Sequence, residues 1–194
     1  TYKDLIVEPL HPTPAYVANG NYFNSGSGTV QGFELSVQKA VTGFFTGEAS
    51  YSFTKSRRKA TSNGVEFPSD FDRRHQLTLI GATRFYGFTI ATKYRVATGL
   101  PYTSRTPIGF VGENFLQRIS SESRINSLRL PLYASLDLRA ERRFGFKRWS
   151  FSPYIDIFNV TNHNTVVQPN YEFFRRTPQF LQENKRFPIP GLRI

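Results

Sequence analysis

The sequence predicts an all-β chain, an antiparallel transmembrane β-barrel, and three observations carry that expectation. Apolar and polar residues alternate strictly over stretches of about ten positions, the period of a strand with one apolar and one polar wall. The alternating stretches run to about 10–13 residues, longer than the common soluble strand of about 5–6. Short and long connections alternate along the chain, so short turns collect at one end of the sheet and long loops at the other, as in outer-membrane barrels.

The clearest stretch is Pro131 to Arg143. Leu132, Ala134, Leu136, Leu138 and Ala140 fall on one side, and Tyr133, Ser135, Asp137, Arg139, Glu141 and Arg143 on the other. A helix would scatter both sets around its axis. Phe33, Leu35 and Val37 alternate with Glu34, Ser36 and Gln38, and Phe45, Ala49, Tyr51 and Phe53 with Glu48, Ser50, Ser52 and Thr54. Leu77 and Leu79 alternate with Gln76 and Thr78. Phe88, Ile90, Tyr94 and Val96 alternate with Thr89, Lys93 and Arg95, and Trp149, Phe151, Ile155 and Ile157 with Ser150, Ser152, Tyr154 and Asp156. These stretches predict strands at 2–7, 29–40, 45–56, 73–85, 88–98, 131–143, 148–159 and 187–194. No segment sustains a period of 3.6, so no helix is expected.

A tilted strand needs about 9–11 residues to cross a bilayer, and most of these stretches reach that length. Short turns are expected near Val41–Gly43, Phe85–Gly87 and Gly145–Lys147. The long polar stretches at 8–27, 57–72, 98–130 and 160–186 hold the Pro, Gly, Asn and Ser punctuation of loops. Counted back from the C-terminus, the short turns fall on the side of the last residue, which in bacterial barrels is the periplasm.

The composition agrees. There are 19 Phe and 10 Tyr, residues that favour strands and form the interfacial girdles of barrels. With 0 Cys there is no disulfide framework and no thiolate metal site. The net charge of +11 would suit nucleic acid if gathered in one stripe. Instead the cations are dispersed, with short clusters at Arg57-Arg58-Lys59, Arg73-Arg74 and Arg142-Arg143 beside turns, so no nucleic-acid partner is expected. No run of about 18 apolar residues marks a transmembrane helix, which says nothing against a barrel. The chain begins at Thr1 and holds 0 Met, so a fragment or a processed chain is expected.

Residues that tempt a chemical reading have quieter explanations. Asp70, Asp72 and His75 sit where a long loop meets a strand, and turn chemistry suits the carboxylates better than metal ligation. His11, His75 and His163 are far apart, and no nucleophile-elbow motif is present, so no enzyme activity is expected and no cofactor. Asn159-Val160-Thr161 matches a glycosylation pattern, but with Asn162 it reads as a turn at a strand end. Tyr102, Phe110, Phe115, Tyr171, Phe173, Phe174 and Phe180 place aromatics in the long loops, where loop packing or headgroup anchoring is the expected role.

Six segments, in order, then resemble the C-terminal third of TonB-dependent receptors. Gly28-Thr-Val-Gln-Gly-Phe-Glu-Leu35 is similar to that family's Gly-x-x-x-Gly-x-Glu-Leu strand, and Pro68-Ser-Asp-Phe-Asp-Arg-Arg-His-Gln-Leu77 to its Pro-x-Asp-x-Asp-x-Arg-His stretch. Thr98-Gly-Leu-Pro-Tyr-Thr103 resembles its Ser-Gly-x-Pro-Tyr-Thr segment, and Leu136-Asp-Leu-Arg-Ala-Glu-Arg-Arg-Phe144 its Leu-Asp-Leu-Arg strand. Tyr154-Ile-Asp-Ile-Phe-Asn-Val-Thr-Asn162 resembles Tyr-x-Asp-x-x-Asn-x-x-Asn, and Pro188-Ile-Pro-Gly-Leu-Arg-Ile194 the closing strand. The family usually closes on an aromatic residue, so the natural C-terminus is expected a residue or two beyond Ile194.

The resemblance implies roughly the last eight strands of a plugged barrel of about 22 strands, in one domain spanning 1–194. The plug domain, the TonB-contacting segment and the early strands lie outside this sequence. It implies import of a scarce ligand of the siderophore, cobalamin or glycan class across the cell outer membrane of a Gram-negative bacterium. The implied partners are outer-membrane lipid, the remaining strands and plug of the parent chain, TonB through that plug, and an unidentified ligand. Within this frame Lys93, Arg95, Asp137, Arg139, Glu141 and Asp156 are expected to face the lumen and pair across strands. Tyr102, Arg105, Arg118, Arg124, Arg175 and Arg176 in the long loops are the candidate ligand contacts, a basic mouth suited to anionic ligands. Two other readings compete: a small self-contained barrel of eight strands with an adhesin or structural role, and a soluble all-β binding module.

Overall fold

The structure, a computed structural model, describes residues 1–7, 23–59, 64–104, 106–111, 114–118, 125–170, 179–182 and 185–193. Within them the chain forms sixteen strands and no helix. In order these are β1 (Tyr2–Val7), β2 (Phe23–Thr42), β3 (Phe45–Lys59), β4 (Glu66–Pro68), β5 (His75–Phe85) and β6 (Phe88–Ala97). Then come β7 (Pro101–Tyr102), β8 (Thr106–Val111), β9 (Asn114–Arg118), β10 (Leu128–Arg129) and β11 (Tyr133–Arg142). The last are β12 (Phe144–Gly145), β13 (Ser150–Phe158), β14 (Val166–Asn170), β15 (Gln179–Gln182) and β16 (Phe187–Arg193).

One antiparallel sheet holds the long strands in the order β1, β2, β3, β5, β6, β11, β13, with β16 on the far side of β13 and the short β4 and β12 attached to β3 and β13. Among the described residues β1 pairs only with β2, and β16 only with β13, so the sheet has two open edges. The eight alternating stretches all form strands. Two run longer than the sequence suggests. β2 begins at Phe23, because Gly26 and Gly28 pair with Leu5 and Tyr2 of β1; the glycines and serines that read as loop are strand once partners take their amides. β3 runs on to Lys59, so Arg57, Arg58 and Lys59 are paired strand residues rather than a turn-side cluster. The long connections also hold short hairpins, β8 with β9 and β14 with β15.

The short turns are tight. Tyr86 (φ 47°) and Gly87 (φ 78°) are both left-handed between the paired Phe85 and Phe88, the backbone a two-residue hairpin requires. Near Gly145 the turn is displaced: Phe144 and Gly145 pair with Phe151 and Ser150, and Phe146 N–H donates to Trp149 O at 2.8 Å.

Register fixes which side chains share a face, because directly paired residues point the same way. One row runs Leu35, Tyr51, Leu77, Val96, Ala134, and the next Val37, Ala49, Leu79, Tyr94, Leu136. The other face runs Ser36, Ser50, Thr78, Arg95, Ser135 and then Gln38, Glu48, Ile80, Lys93, Asp137. Ile80 is thus an apolar residue on the polar face. Nothing described covers the apolar face: Phe33, Leu35 and Val37 are 60%, 61% and 64% exposed. Among the described hydrophobic residues only Ala97 and Leu130 are buried, whereas Ser69, Asp72, Asn126, Ser135, Ser152, Asn159 and Thr165 are. This is the reverse of a soluble fold, in which apolar side chains fill the interior. From Phe45 to Phe53 β3 rises roughly 26 Å at about 3.3 Å per residue, or about 20 Å along the axis at a tilt of about 40°.

Candidate functional site

The polar face is built where β6, β11 and β13 lie side by side. Arg139 of β11 is directly opposite Asp156 of β13, and its guanidinium reaches that carboxylate at 3.1 Å and Glu141 at 3.0 Å. The same guanidinium lies 4.0 Å from the centre of the Tyr154 ring. Glu141 also meets Arg193 of β16 at 3.8 Å. Asp137 lies 3.7 Å from Arg95 of β6, and its Oδ1 accepts the Ser135 hydroxyl at 3.0 Å and the Asn159 N–H at 3.0 Å. Lys93 is opposite Asp137 in the register, yet the ion pair forms with Arg95, and no described ion pair involves Lys93. Among the described residues, Arg95 Nε is buried without an acceptor. Beside it a cavity of about 190 Å³ is lined by Arg95, Tyr133, Asp137, Asn159, Thr165 and Lys185 among others.

A second cluster ties the long-loop ends of β3, β5, β6 and β11. Asp72, only 1% exposed, accepts the Ser56 N–H of β3 at 2.7 Å and pairs with Arg129 and, at 3.4 Å, with Arg74. Arg129 donates further to the carbonyls of Asp72 at 2.7 Å and Gly99 at 3.2 Å. Burial alone would raise the Asp72 carboxyl; the Ser56 hydrogen bond, the Arg129 bond and charge, and the Arg74 charge outweigh it and hold the group below the usual carboxylate range. Asn126, itself buried and left-handed (φ 52°), donates through Nδ2 to Pro68 O at 2.9 Å and Asp70 Oδ1 at 2.7 Å, while its N–H donates to Thr103 Oγ1 at 2.9 Å. The loop carboxylates do serve hydrogen bonding, mostly across strands and loops, while the Arg74 contact of Asp72 stays within the turn. His75 bonds the Tyr51 hydroxyl through Nδ1 at 2.8 Å.

The sheet has the faces, strand lengths and loop segregation of an outer-membrane barrel wall, and the family model described as TonB dependent receptor-like, beta-barrel matches residues 1–162. The chain belongs to this family. No curated protein and no solved structure matches it. Membership places this TonB-dependent receptor barrel in outer-membrane transport, in a family of transporters. β16 lies beyond the matched residues but joins the same sheet through β13.

The loop candidates of the receptor are only partly placed. Tyr102 is half-buried in β7, opposite Leu128 of β10. Arg118 ends β9, opposite Thr106. Arg105, Arg124, Arg175 and Arg176 lie outside the described residues, as do His11, Tyr171, Phe173 and Phe174. Asn126 and Arg129, which organise the loop bases, escape sequence reasoning: neither has a local motif, and both act on residues more than fifty positions upstream. Asn159 and Asn162 do shape the turn after β13. Both are left-handed, and Asn159 exchanges hydrogen bonds with His163, each at 3.0 Å.

Proposed function

We propose that this chain supplies roughly the last eight strands of a TonB-dependent receptor that imports a scarce ligand of the siderophore, cobalamin or glycan class. Its apolar face meets lipid, and Lys93, Arg95, Asp137, Arg139, Glu141 and Asp156 line the lumen. The parent chain adds the remaining strands and a plug, and TonB supplies energy through that plug. The observation that carries this reading is the sheet's two faces: an uncovered apolar wall about 20 Å tall backed by an ion-paired polar wall, with only Ala97 and Leu130 buried among the described hydrophobic residues. The open edges at β1 and β16 favour a larger barrel over a self-contained one, because an unpaired edge in hydrocarbon costs several kcal/mol per backbone group. The unsatisfied Arg95 Nε supports a polar occupant of the lumen, plug or ligand. Tyr102, Arg105, Arg118, Arg124, Arg175 and Arg176 are the residues proposed to meet the ligand at the loops.

Cysteine scanning tests the facing, since this chain contributes 0 Cys of its own. In the full-length receptor in membranes, Leu35→Cys and Leu136→Cys should be reached by lipid-confined quenchers, and Ser36→Cys and Ser135→Cys by small aqueous thiol reagents. The opposite pattern would falsify the assignment. Deleting the parent gene should abolish TonB-dependent uptake of its ligand; unchanged uptake of every candidate class would remove the transport role.

A further inference from the structure

The short-turn end of the sheet carries more positive than negative charge. Segments 39–47, 83–92 and 142–153 contain Lys39, Arg84, Arg142, Arg143, Lys147 and Arg148, and no Asp or Glu. The carboxylates bordering these segments are Glu48 and Glu141, and Glu141 is taken up by Arg139 and Arg193, so the rim's excess of cations favours an anion from outside.

Arg142 is the informative member. It is directly opposite Phe88 in the register, and so lies on the apolar face with Ala140 and Leu138 rather than with the ion-paired residues. Its guanidinium lies 4.9 Å from the Phe88 ring centre and 5.0 Å from that of Phe144. Phe144 in turn packs on Phe151 at 5.4 Å, and Trp149 stacks on Phe146 at 4.1 Å. Arg142 is exposed, and no described ion pair involves it. A charge on a lipid-facing wall is costly at the bilayer centre but reaches the headgroups when it lies at the edge of the apolar band. The rings meet the guanidinium by their faces, no described hydrogen bond takes its in-plane N–H donors, and that planar fork matches a phosphate. Lys39 repeats the arrangement on β2: its ammonium lies 5.7 Å from the Phe45 ring, which spreads over Gly47, where a Cβ would come within 2.9 Å of it.

Resting on the lipid-facing reading above, we propose that Arg142, clamped by Phe88 and Phe144, is a headgroup site for an acidic phospholipid in the leaflet at the short-turn end. Exposed Lys147 and Arg148 in the next turn, and Lys39 further along the rim, enlarge the positive field that draws such lipids.

Native mass spectrometry of the full-length receptor, incubated with equal amounts of phosphatidylglycerol and phosphatidylcholine, tests this. The receptor should retain phosphatidylglycerol preferentially. Arg142→Gln should lower that preference about fivefold, the loss expected for one basic residue at a charged surface. Arg142→Lys should lose less, and Arg143→Gln, whose side chain lies on the polar face and reaches Ser150 at 3.4 Å, should change little. Added salt should weaken the preference of the unsubstituted receptor, a readout independent of any variant's folding. Equal retention of the two lipids, or an Arg142→Gln receptor with undiminished preference, overturns the site. A fluorophore on Leu136→Cys, read against lipid-borne quencher, separates the two ideas. Quenching without lipid preference sinks the headgroup site alone, whereas absence of quenching sinks the membrane-facing reading itself.

Discussion

The two ends of the sheet solve the same problem differently. At the long-loop end the strands finish in a largely buried polar knot, with the side chains of Asp72, Arg129 and Asn126 and the backbone of Ser69 tying β3, β5, β6 and β11 together. At the short-turn end the strands need no knot. Two left-handed residues close the β5–β6 hairpin, and what remains is a fringe of exposed rings and cations. The contrast follows from chain entropy. A two-residue turn is specified by its own backbone, whereas a long connection must be anchored by contacts that outweigh the cost of ordering it. Anchoring residues at the base of a loop are therefore distant in sequence, while closing residues are adjacent.

If the knot anchors the loops, breaking it should be the costliest change. Asp72→Ala removes a carboxylate that is 1% exposed, leaving the Ser56 N–H without its acceptor and the half-buried Arg129 without its ion-pair partner, and should cost about 3–5 kcal/mol. The measurement is urea unfolding of the folded receptor in detergent or liposomes, alongside proteolysis of its loops. A loss under about 1 kcal/mol would show that the knot forms no part of the cooperative unit.

Next in size is a test of the wall between the two ends. Leu136→Arg places a charge near mid-height of the apolar face and should cost about 2–4 kcal/mol if that face meets the bilayer centre. Arg139→Leu removes an ion-paired cation from the opposite, polar face and should cost less, although Asp156 and Glu141 lose a shared partner. Equal costs for the two variants would erase the distinction between the faces.

Acid probes the knot more gently, because it adds a proton without removing the side chain. The folded Asp72 carboxyl lies below its unfolded value of about 3.9, so its contribution is fully present above that pH and is lost as pH falls through the folded value. Loop proteolysis should be flat from neutrality down to about pH 4 and rise only below it. In Asp72→Asn that acid-induced rise should be blunted.

These tests bear on residues that differ in how far the sequence announces them. Alternation over Leu132–Arg143 is enough to place β11 and both of its faces, since a period of two is a local property. The pairing of Arg139 with Asp156 was open to expectation because both lie on polar walls of consecutive long strands. The choice of Arg95 rather than Lys93 for Asp137 was not, since it turns on side-chain reach rather than register: the longer guanidinium crosses to the carboxylate from the neighbouring row. The start of β2 was hidden for another reason. Glycine and serine there signal loop by propensity, and only pairing with β1 and the far end of β3 converts them to strand. The knot was least legible of all. Asp70 and Asp72 announce turn chemistry, but nothing local points from them to Asn126 or Arg129 across the sheet.

The smallest expected effect tests the fringe. Trp149 stacks on Phe146 at 4.1 Å across a turn already closed by a backbone hydrogen bond. Because Trp149 is 55% exposed, Trp149→Ala removes little buried area, and the lost ring pairing should cost about 0.5–1.5 kcal/mol in urea unfolding. The comparison sharpens if that cost depends on surroundings. On the proposed facing the exposed ring would lie at headgroup level in liposomes, where indole is favoured, whereas a detergent micelle offers a less ordered interface. The cost should therefore be larger in liposomes than in detergent, while that of Asp72→Ala, internal to the protein, should be the same in both. A medium-independent Trp149→Ala cost would mean that the fringe, like the knot, serves only the protein's own packing.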